Sequence, residues 1–211
     1  MDEIKPADSL NKAAKTISVI FHPLLMPLYG LILIFSVPTI YRYLALPIKK
    51  LLFLTVLINN VILPLSLLIL LKAKKHILSW EMESRKERML PLFFTTILYA
   101  ITSYIIIKYS VPNFIKTYFI GVFFVASSIT VINNWWKISI HATASGALTV
   151  LALILSFWMY HIILLPLMAI IIVAGLILSS RLRLNTHTPA QVWIGFLLGF
   201  TELGILYMAV Q

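Results

Sequence analysis

The stretch that decides the fold lies between two long apolar segments and reads Ser180-Arg181-Leu182-Arg183-Leu184-Asn185-Thr186-His187-Thr188-Pro189-Ala190-Gln191, continuing as Val192-Trp193-Ile194-Gly195-Phe196-Leu197-Leu198-Gly199. It carries two arginines and a histidine where a membrane-spanning segment is expected to end. Charged and titratable side chains beside a bilayer are costly, which favours a functional role for them. A short basic loop that contacts lipid headgroups is the simpler interpretation. The remaining sequence distinguishes the two.

The composition is that of an integral membrane protein. Of the 211 residues, 61% are hydrophobic and only 11% are charged, whereas soluble domains are about 45–50% apolar. The absence of cysteine excludes a disulfide framework and a thiolate metal site. The net charge is +10, and the positive residues lie between the apolar runs. We therefore expect membrane lipids and phosphates as partners and no nucleic acid.

Acidic residues are few and scattered. Both aspartates, Asp2 and Asp8, lie in the first eight residues, and the glutamates are Glu3, Glu81, Glu83, Glu87 and Glu202. Magnesium-dependent phosphate chemistry needs clustered carboxylates, which argues against an aspartate-rich prenyltransferase or an alcohol phosphatidyltransferase. Chemistry in this chain would therefore use histidine, arginine and lysine, and we expect no metal and no cofactor. We also expect Glu202, which lies within the last apolar run, to have a polar partner there.

Seven apolar runs predict an all-α, polytopic transmembrane helix bundle of six to seven spans, because about 20 residues cross a hydrocarbon core. The runs are 17–40, 51–71, 91–107, 114–132, 142–160, 162–178 and 192–210. Residues 1–15 predict a polar N-terminal tail or an interfacial helix, and 16–211 a single transmembrane domain. Prolines in the first run predict a bent or partly re-entrant segment, in which His22 is interpreted as structural or interfacial. Asn59 and Asn60 are expected to face other helices.

The polar patches between the runs are predicted to converge on one membrane face. They lie between the second and third, fourth and fifth, and sixth and seventh runs, so an even number of crossings separates each pair. The residues brought together would be Arg85, Lys86, Arg88, Lys137, Ser139, His141, Arg181, Arg183 and His187. Arginine and lysine can neutralise phosphoryl oxygens, while one imidazole attacks phosphorus and another protonates the leaving oxygen.

Three segments resemble signatures of the type-2 phosphatidic acid phosphatase superfamily. Ser180-Arg181, five residues, His187, three residues and Gln191 are similar to its third signature, Ser-Arg-x5-His-x3-Asp. Gln191-Val192-x2-Gly195-x3-Gly199 is similar to the Asp-Val-x2-Gly-x3-Gly that commonly opens the last helix. Ile138-Ser139-Ile140-His141 resembles the second signature, Pro-Ser-Gly-His. Arg85-Lys86-Glu87-Arg88-Met89-Leu90-Pro91 occupies the place of the first signature, Lys-x6-Arg-Pro, without its spacing. The resemblance covers about 83–205.

The resemblance implies a role for each matched residue. His187 would be the nucleophile that takes the phosphoryl group, and His141 the acid that protonates the leaving group. Arg181 would bind phosphate oxygens, and Ser139 would add a hydrogen bond. By position rather than by match, the remaining cationic contacts would come from Arg85, Lys86, Arg88 and Lys137.

Two residues depart from the family pattern. Ile140 replaces the glycine before the second-signature histidine, so the local backbone must differ. Gln191 replaces the aspartate that would orient and support the nucleophile; its carbonyl can accept a hydrogen bond but carries no charge. Gly195 and Gly199 are interpreted as a helix-packing face.

The expected function is hydrolysis of a phosphate or diphosphate monoester of a lipid, polyprenyl or glycerolipid, through a phosphohistidine. We expect an integral protein of the bacterial inner membrane, with the face of the active site left open. Two alternatives remain: a non-catalytic relative that binds or transports phospholipid headgroups, and a structural membrane protein with basic loops.

Overall fold

The computed structural model describes residues 6–77, 79–80, 82, 84–158 and 164–210, and these residues form helices and connecting turns without a strand. The predicted all-α bundle is confirmed. The helices are α1 (Pro6–Ile20), α2 (Met26–Ser36), α3 (Leu46–Val56), α4 (Leu63–Ala73), α5 (Arg85–Lys108), α6 (Asn113–Ile132), α7 (Ile140–Trp158), α8 (Leu164–Arg183) and α9 (Pro189–Ala209).

Seven helical segments among the described residues are long and apolar enough to span a membrane, as the seven apolar runs predicted. They are Asp8–Ser36, Leu46–Ala73, Arg85–Lys108, Asn113–Ile132, Ile140–Phe157, Leu164–Arg183 and Pro189–Ala209. The first segment begins earlier than predicted because most of the predicted polar tail is helical from Pro6. Some predicted positions lie outside the described residues: residues 1–5 of that tail, Glu83 at the start of the resemblance over 83–205, Tyr160 at the end of the fifth run and Ile162 at the start of the sixth.

The first span is bent at its prolines, as predicted. α1 ends at Ile20, and a 3-10 turn over Pro23–Leu25 leads into α2. His22 caps this turn, because the backbone N–H of Leu24 donates to His22 Nδ1 at 3.3 Å. Proline suits the first position of a helix, where its missing N–H would have no helical partner.

The second span contains a π-helical turn, Leu57–Ile62, between α3 and α4. Asn60 lies in this turn, is fully buried, and accepts a hydrogen bond from the Thr102 hydroxyl of α5. The prediction that Asn60 faces another helix is confirmed. Glu202 of α9 also has its predicted polar partner, since the Ser128 hydroxyl of α6 donates to Glu202 Oε1 at 2.8 Å.

Glycines allow α7 and α9 to pack with their backbones in close contact. A Cβ atom at Gly199 would overlap the carbonyl oxygen of Thr143, and one at Gly146 would overlap the carbonyl oxygen of Phe196. At Gly195 a Cβ atom would lie 3.0 Å from the carbonyl oxygen of Ser139. The predicted helix-packing role of Gly195 and Gly199 is confirmed, and it holds the start of α7 against the start of α9.

The three polar patches meet at one end of the bundle, as parity predicted. The Asn133 side-chain amide, at the end of α6, donates to the carbonyl oxygen of Arg85 at 3.1 Å. The Ser139 backbone N–H, before α7, donates to the carbonyl oxygen of Gln191 at 3.2 Å. These two hydrogen bonds join the first patch to the second and the second to the third.

Candidate functional site

His187 lies beside the capped start of α9. Thr188 is the N-cap, and its hydroxyl oxygen accepts the Gln191 backbone N–H at 3.4 Å. In return, Gln191 Oε1 accepts the Thr188 backbone N–H at 3.1 Å, which completes a capping box. The capping box therefore fixes the orientation of the Gln191 amide.

This orientation determines the tautomer of His187. Gln191 Oε1 lies 3.2 Å from His187 Nδ1. An amide oxygen only accepts hydrogen bonds, so Nδ1 must carry the proton and donate it. In a neutral imidazole the other nitrogen, Nε2, then has a lone pair. The sequence Thr-Pro-Ala-Gln thus presents a histidine with Nε2 ready to act as a nucleophile.

His187 is held in its neutral form. Its side chain is buried, and burial together with the positive charges of Arg88 and Arg181 lowers its pKa from 6.5 to about 3. The Gln191 hydrogen bond opposes this shift, and Lys137 adds to it. At neutral pH the ring therefore carries no charge, which a nitrogen nucleophile requires.

Two buried arginines stand near His187. Arg181, in the last turn of α8, is 7% exposed and donates from Nη1 to the Ser18 hydroxyl at 3.2 Å. Arg88, in the first turns of α5, is 4% exposed and donates from Nε to the carbonyl oxygen of Met82 at 2.8 Å. These two hydrogen bonds are made to uncharged groups, and burying like charges near each other is costly. Such a pair is suited to an anion.

His141 lies in the first turn of α7 and contacts the first span. Its Nε2 is 3.1 Å from the carbonyl oxygen of Ser18. Because a carbonyl oxygen only accepts, Nε2 carries the proton and Nδ1 is left for another partner. The ring of His22 meets the His141 ring edge to face, with centroids 5.7 Å apart.

These residues line one cavity of about 620 Å³. What we call its polar end is formed by Lys15, Ser18, His22, Arg88, His141, Arg181, Thr186 and His187. None of the described residues lining the cavity is acidic.

The rest of the lining is mainly apolar and includes Tyr118, Val122, Val125, Ile129, Ala144, Leu148 and Leu203. Along α6 the lining extends from Tyr118 to Ile129, which at 1.5 Å per residue is about 16 Å. The polar end and the long apolar part of the cavity are therefore complementary to the headgroup and the hydrocarbon chain of an amphiphile.

Two residues of the cavity lining, one on α1 and one on α4, are also exposed at the outer surface of the bundle. Val19 is 70% exposed and Leu65 is 46% exposed. Both lie within membrane-spanning segments. We call the part of the lining that these two exposed residues form the lateral mouth.

The structure brings some of the predicted residues to the cavity and leaves others outside its lining. His187, His141, Arg181 and Arg88 line it, as does Ile140, which stands where the signature that the sequence resembles has glycine. The other predicted residues lie outside the lining: Arg85, Lys86, Lys137, Ser139, Arg183 and Gln191. Arg183 is exposed and donates from Nε to Asn11 Oδ1 at 3.1 Å.

Each of the residues outside the lining has a position of its own. Arg85 is exposed and donates from Nη1 to the carbonyl oxygen of Asn134 at 3.0 Å, and Lys86 is exposed beside it. Ser139 is fully buried, and its hydroxyl oxygen accepts the Ala142 backbone N–H at 3.4 Å at the start of α7. Gln191 acts on the cavity through His187, and Lys137 through its charge.

Sequence reasoning missed the contribution of the first span. Ser18 contacts both Arg181 and His141, and His22 lines the polar end, although the family resemblance begins only near residue 83. An ionisable residue within an apolar run is a functional candidate by default, so the sequence alone could have indicated a role for His22 in the site. Ser18 carried none.

The resemblance to the phosphatase superfamily rests on the signature residues around His187 and His141. At the structural level, the same two residues and Arg181 line one cavity. No family model, no curated protein and no solved structure matches this chain.

Proposed function

We propose that this protein is a membrane-embedded lipid phosphate phosphatase that hydrolyses a phosphate or diphosphate monoester of a polyprenyl or glycerolipid. One observation carries the proposal. The neutral His187 ring, with Nδ1 held by Gln191, lies beside two buried arginines at the polar end of an otherwise apolar cavity. The proposal includes the bacterial inner membrane expected from the sequence and leaves the face of the site open.

The substrate would lie with its phosphoryl group at the polar end and its hydrocarbon chain along α6. Arg181 and Arg88 would bind the phosphoryl oxygens, which would replace costly like-charge burial by charge-assisted hydrogen bonds. Lys137, Arg85 and Lys86 would add positive potential from outside the lining. The apolar lining would bind the chain in proportion to the area that it buries.

The first chemical step would transfer the phosphoryl group to His187. Nε2 attacks phosphorus with its lone pair, and the bond between phosphorus and the leaving oxygen breaks. The negative charge of the bound phosphoryl group would favour protonation of His141 on Nδ1. The resulting imidazolium keeps Nε2–H on the Ser18 carbonyl oxygen and gives the Nδ1 proton to that leaving oxygen. The products are the lipid alcohol, or lipid monophosphate from a diphosphate, and a phosphohistidine.

The second step would regenerate the enzyme. Water attacks the phosphohistidine, and the now neutral Nδ1 of His141 takes a proton from it. The bond between phosphorus and His187 Nε2 breaks, and inorganic phosphate leaves. No proton is gained or lost by the protein over the two steps.

A non-catalytic headgroup-binding protein is the second candidate, and the uncharged Gln191 favours it. The positive charge that develops on His187 during phosphoryl transfer would receive no carboxylate support. Binding by Arg181 and Arg88 would be unaffected. This candidate predicts phosphate binding without turnover.

The test is phosphate release by the purified protein from a panel of polyprenyl phosphates, polyprenyl diphosphates and phosphatidate in the presence of EDTA. We expect release that orthovanadate inhibits and that His187→Ala abolishes. His76→Ala is the matched control, because His76 is exposed on the same face but outside the cavity lining. Binding of the panel without release by wild type would favour the headgroup-binding candidate, and full activity in His187→Ala would remove the proposed nucleophile.

A further inference from the structure

His22 combines a structural task with a place at the polar end of the cavity. Its Nδ1 accepts the Leu24 backbone N–H at 3.3 Å and so caps the 3-10 turn that follows α1. An N–H group only donates, so Nδ1 must present a lone pair. In the neutral imidazole the single proton is therefore on Nε2.

The cap leaves one edge of the ring for the cavity. Nδ1 is adjacent to the residue's own backbone, and Nε2 lies on the far side of the ring. His22 lines the cavity together with Arg181, His141 and His187. A neutral ring held in this tautomer is a hydrogen-bond donor, and it adds no further positive charge beside Arg181.

His141 differs from His22 in the atom that it presents. Its Nε2–H is directed to the carbonyl oxygen of Ser18, which leaves the lone pair on Nδ1 in the neutral ring. The two rings meet edge to face at 5.7 Å, so they reach the same region of the cavity. One ring presents a fixed donor there, and the other presents a nitrogen that can gain and lose a proton.

We propose that His22 is a phosphate-binding residue, which donates from Nε2–H to a phosphoryl oxygen as an uncharged ligand beside Arg88 and Arg181. The inference rests on the proposed function, since it concerns the same site. It adds the first span to a site whose family signatures begin far later in the chain. It also gives a binding role to a residue that the sequence suggests is merely structural.

Two substitutions separate the cap from the binding role. His22→Asn keeps a side-chain acceptor for the Leu24 N–H, since asparagine is a preferred N-cap residue, but its amide is too short to replace Nε2. His22→Gln extends an amide N–H towards the position of Nε2 and is a poor cap. Because the two variants exchange the two properties, each serves as a control for the other. His76→Asn controls for the loss of an exposed histidine.

The experiment measures the affinity of the purified variants for inorganic phosphate and orthovanadate by calorimetry, together with their thermal midpoints. We expect His22→Asn to keep the wild-type midpoint and to lose about tenfold in affinity, the equivalent of one hydrogen bond to a charged group. His22→Gln should keep most of the affinity and have a lower midpoint. Wild-type affinity in His22→Asn, or affinity lost in both variants in proportion to their midpoints, would overturn the binding role.

Phosphate release from the lipid phosphate panel separates this inference from the proposed function. If wild type binds phosphate but releases none, and His22→Asn binds it more weakly, the phosphatase is excluded and the His22 ligand stands. If wild type hydrolyses a lipid phosphate and His22→Asn matches it in both affinity and turnover, only the His22 inference is overturned. Absence of phosphate binding by wild type would overturn both.

Discussion

Arg181 Nη1 donates a hydrogen bond of 3.2 Å to the hydroxyl of Ser18, which lies 163 residues earlier in the chain. This bond joins the end of α8 to α1 beside the polar end of the cavity. Hydrogen bonds to charged groups are worth about 1.5–3 kcal/mol. Ser18→Ala should therefore lower the free energy of unfolding by about 1.5–3 kcal/mol.

Thr16→Ala is the control for Ser18→Ala. Thr16 is on the same helix, is exposed, and bonds only locally to the carbonyl oxygen of Lys12 in the described structure. Its substitution should change the free energy by no more than about 0.5 kcal/mol, as is usual at surface positions. Denaturant unfolding in detergent measures both. Equal losses in the two variants would mean that the Arg181 hydrogen bond contributes little.

Gln191→Asp should raise the rate of phosphoryl transfer about tenfold, which is equivalent to about 1.4 kcal/mol of barrier. A carboxylate would accept a hydrogen bond from His187 Nδ1–H, as the amide does, and would also stabilise the positive charge that develops on the ring. In serine proteases, replacing the supporting aspartate by an amide costs about 10⁴, mainly through the wrong tautomer. The capping box already enforces the correct tautomer here, so the gain should be smaller.

Single-turnover hydrolysis by wild type, Gln191→Asp and Gln191→Ala at equal folded concentration measures this effect. Gln191→Ala should be slower than wild type, since nothing then fixes the tautomer of His187. Phosphate affinity should change little in either variant. A Gln191→Asp protein slower than wild type would mean that another group supports His187.

His187 should stay neutral far below the usual histidine range. Burial and the charges of Arg88 and Arg181 lower its pKa to about 3, so the folded protein excludes a proton that the unfolded chain binds below about pH 6.5. Folding stability should consequently fall as the pH decreases from about 6.5 towards 3. His187→Gln should reduce this slope, because an amide does not titrate.

NMR of histidine ring carbons, assigned with the His187→Gln variant, gives the direct measurement. The His187 signal should be constant from pH 7 to about 4.5, while a histidine-containing model peptide added as a reference titrates near its ordinary pKa of about 6.5. Protonation of His187 near pH 6 would contradict the proposed electrostatics of Arg88 and Arg181.

Gly199→Ala should weaken the contact between α7 and α9. The added methyl group would overlap the carbonyl oxygen of Thr143, which is backbone and cannot rotate away. Overpacking typically costs about 1–3 kcal/mol. Because α7 carries His141 and the start of α9 carries Gln191, turnover should fall together with the thermal midpoint.

Gly175→Ala is the matched control, because a Cβ atom at Gly175 would meet no atom within 4 Å apart from its chain neighbours and the backbone of its own helix. Alanine is also the better helix former, so this variant should be at least as stable as wild type. Thermal unfolding of both proteins decides the comparison. A Gly199→Ala protein as stable as Gly175→Ala would show that the two helices can separate without cost.

The fold could be predicted from the sequence to a large extent because its information is local. Each apolar run is long enough to require helix, since backbone polar groups must be satisfied within a membrane span. Parity then places the polar patches on one face without knowledge of packing. The orientation of the Gln191 side chain could also be predicted from the sequence, because Thr188 and Gln191 have the spacing of a capping box ahead of an apolar run.

The composition of the cavity could not be predicted to the same extent because it depends on helix rotation and on contacts across the chain. Arg85 and Arg88 are three residues apart, and this spacing alone predicts that they share a face of the helix. The edge of the buried surface falls between them, so Arg88 is buried and Arg85 is exposed. Ser18 reaches the site through the packing of α1 on α8, which leaves no mark on the local sequence.

The lateral mouth on α1 and α4 bears on which substrate concentration would limit the rate of the proposed reaction. Val19 and Leu65 are exposed within membrane-spanning segments. A lipid substrate of the proposed reaction would therefore enter by diffusing in the plane of the bilayer, without first dissolving in water. The rate would then depend on the mole fraction of substrate in the bilayer or detergent micelle, and not on its concentration in the whole sample. Diluting a fixed amount of lipid phosphate with inert detergent should slow hydrolysis, whereas diluting the whole sample with buffer at constant surface composition should leave the rate per protein nearly unchanged.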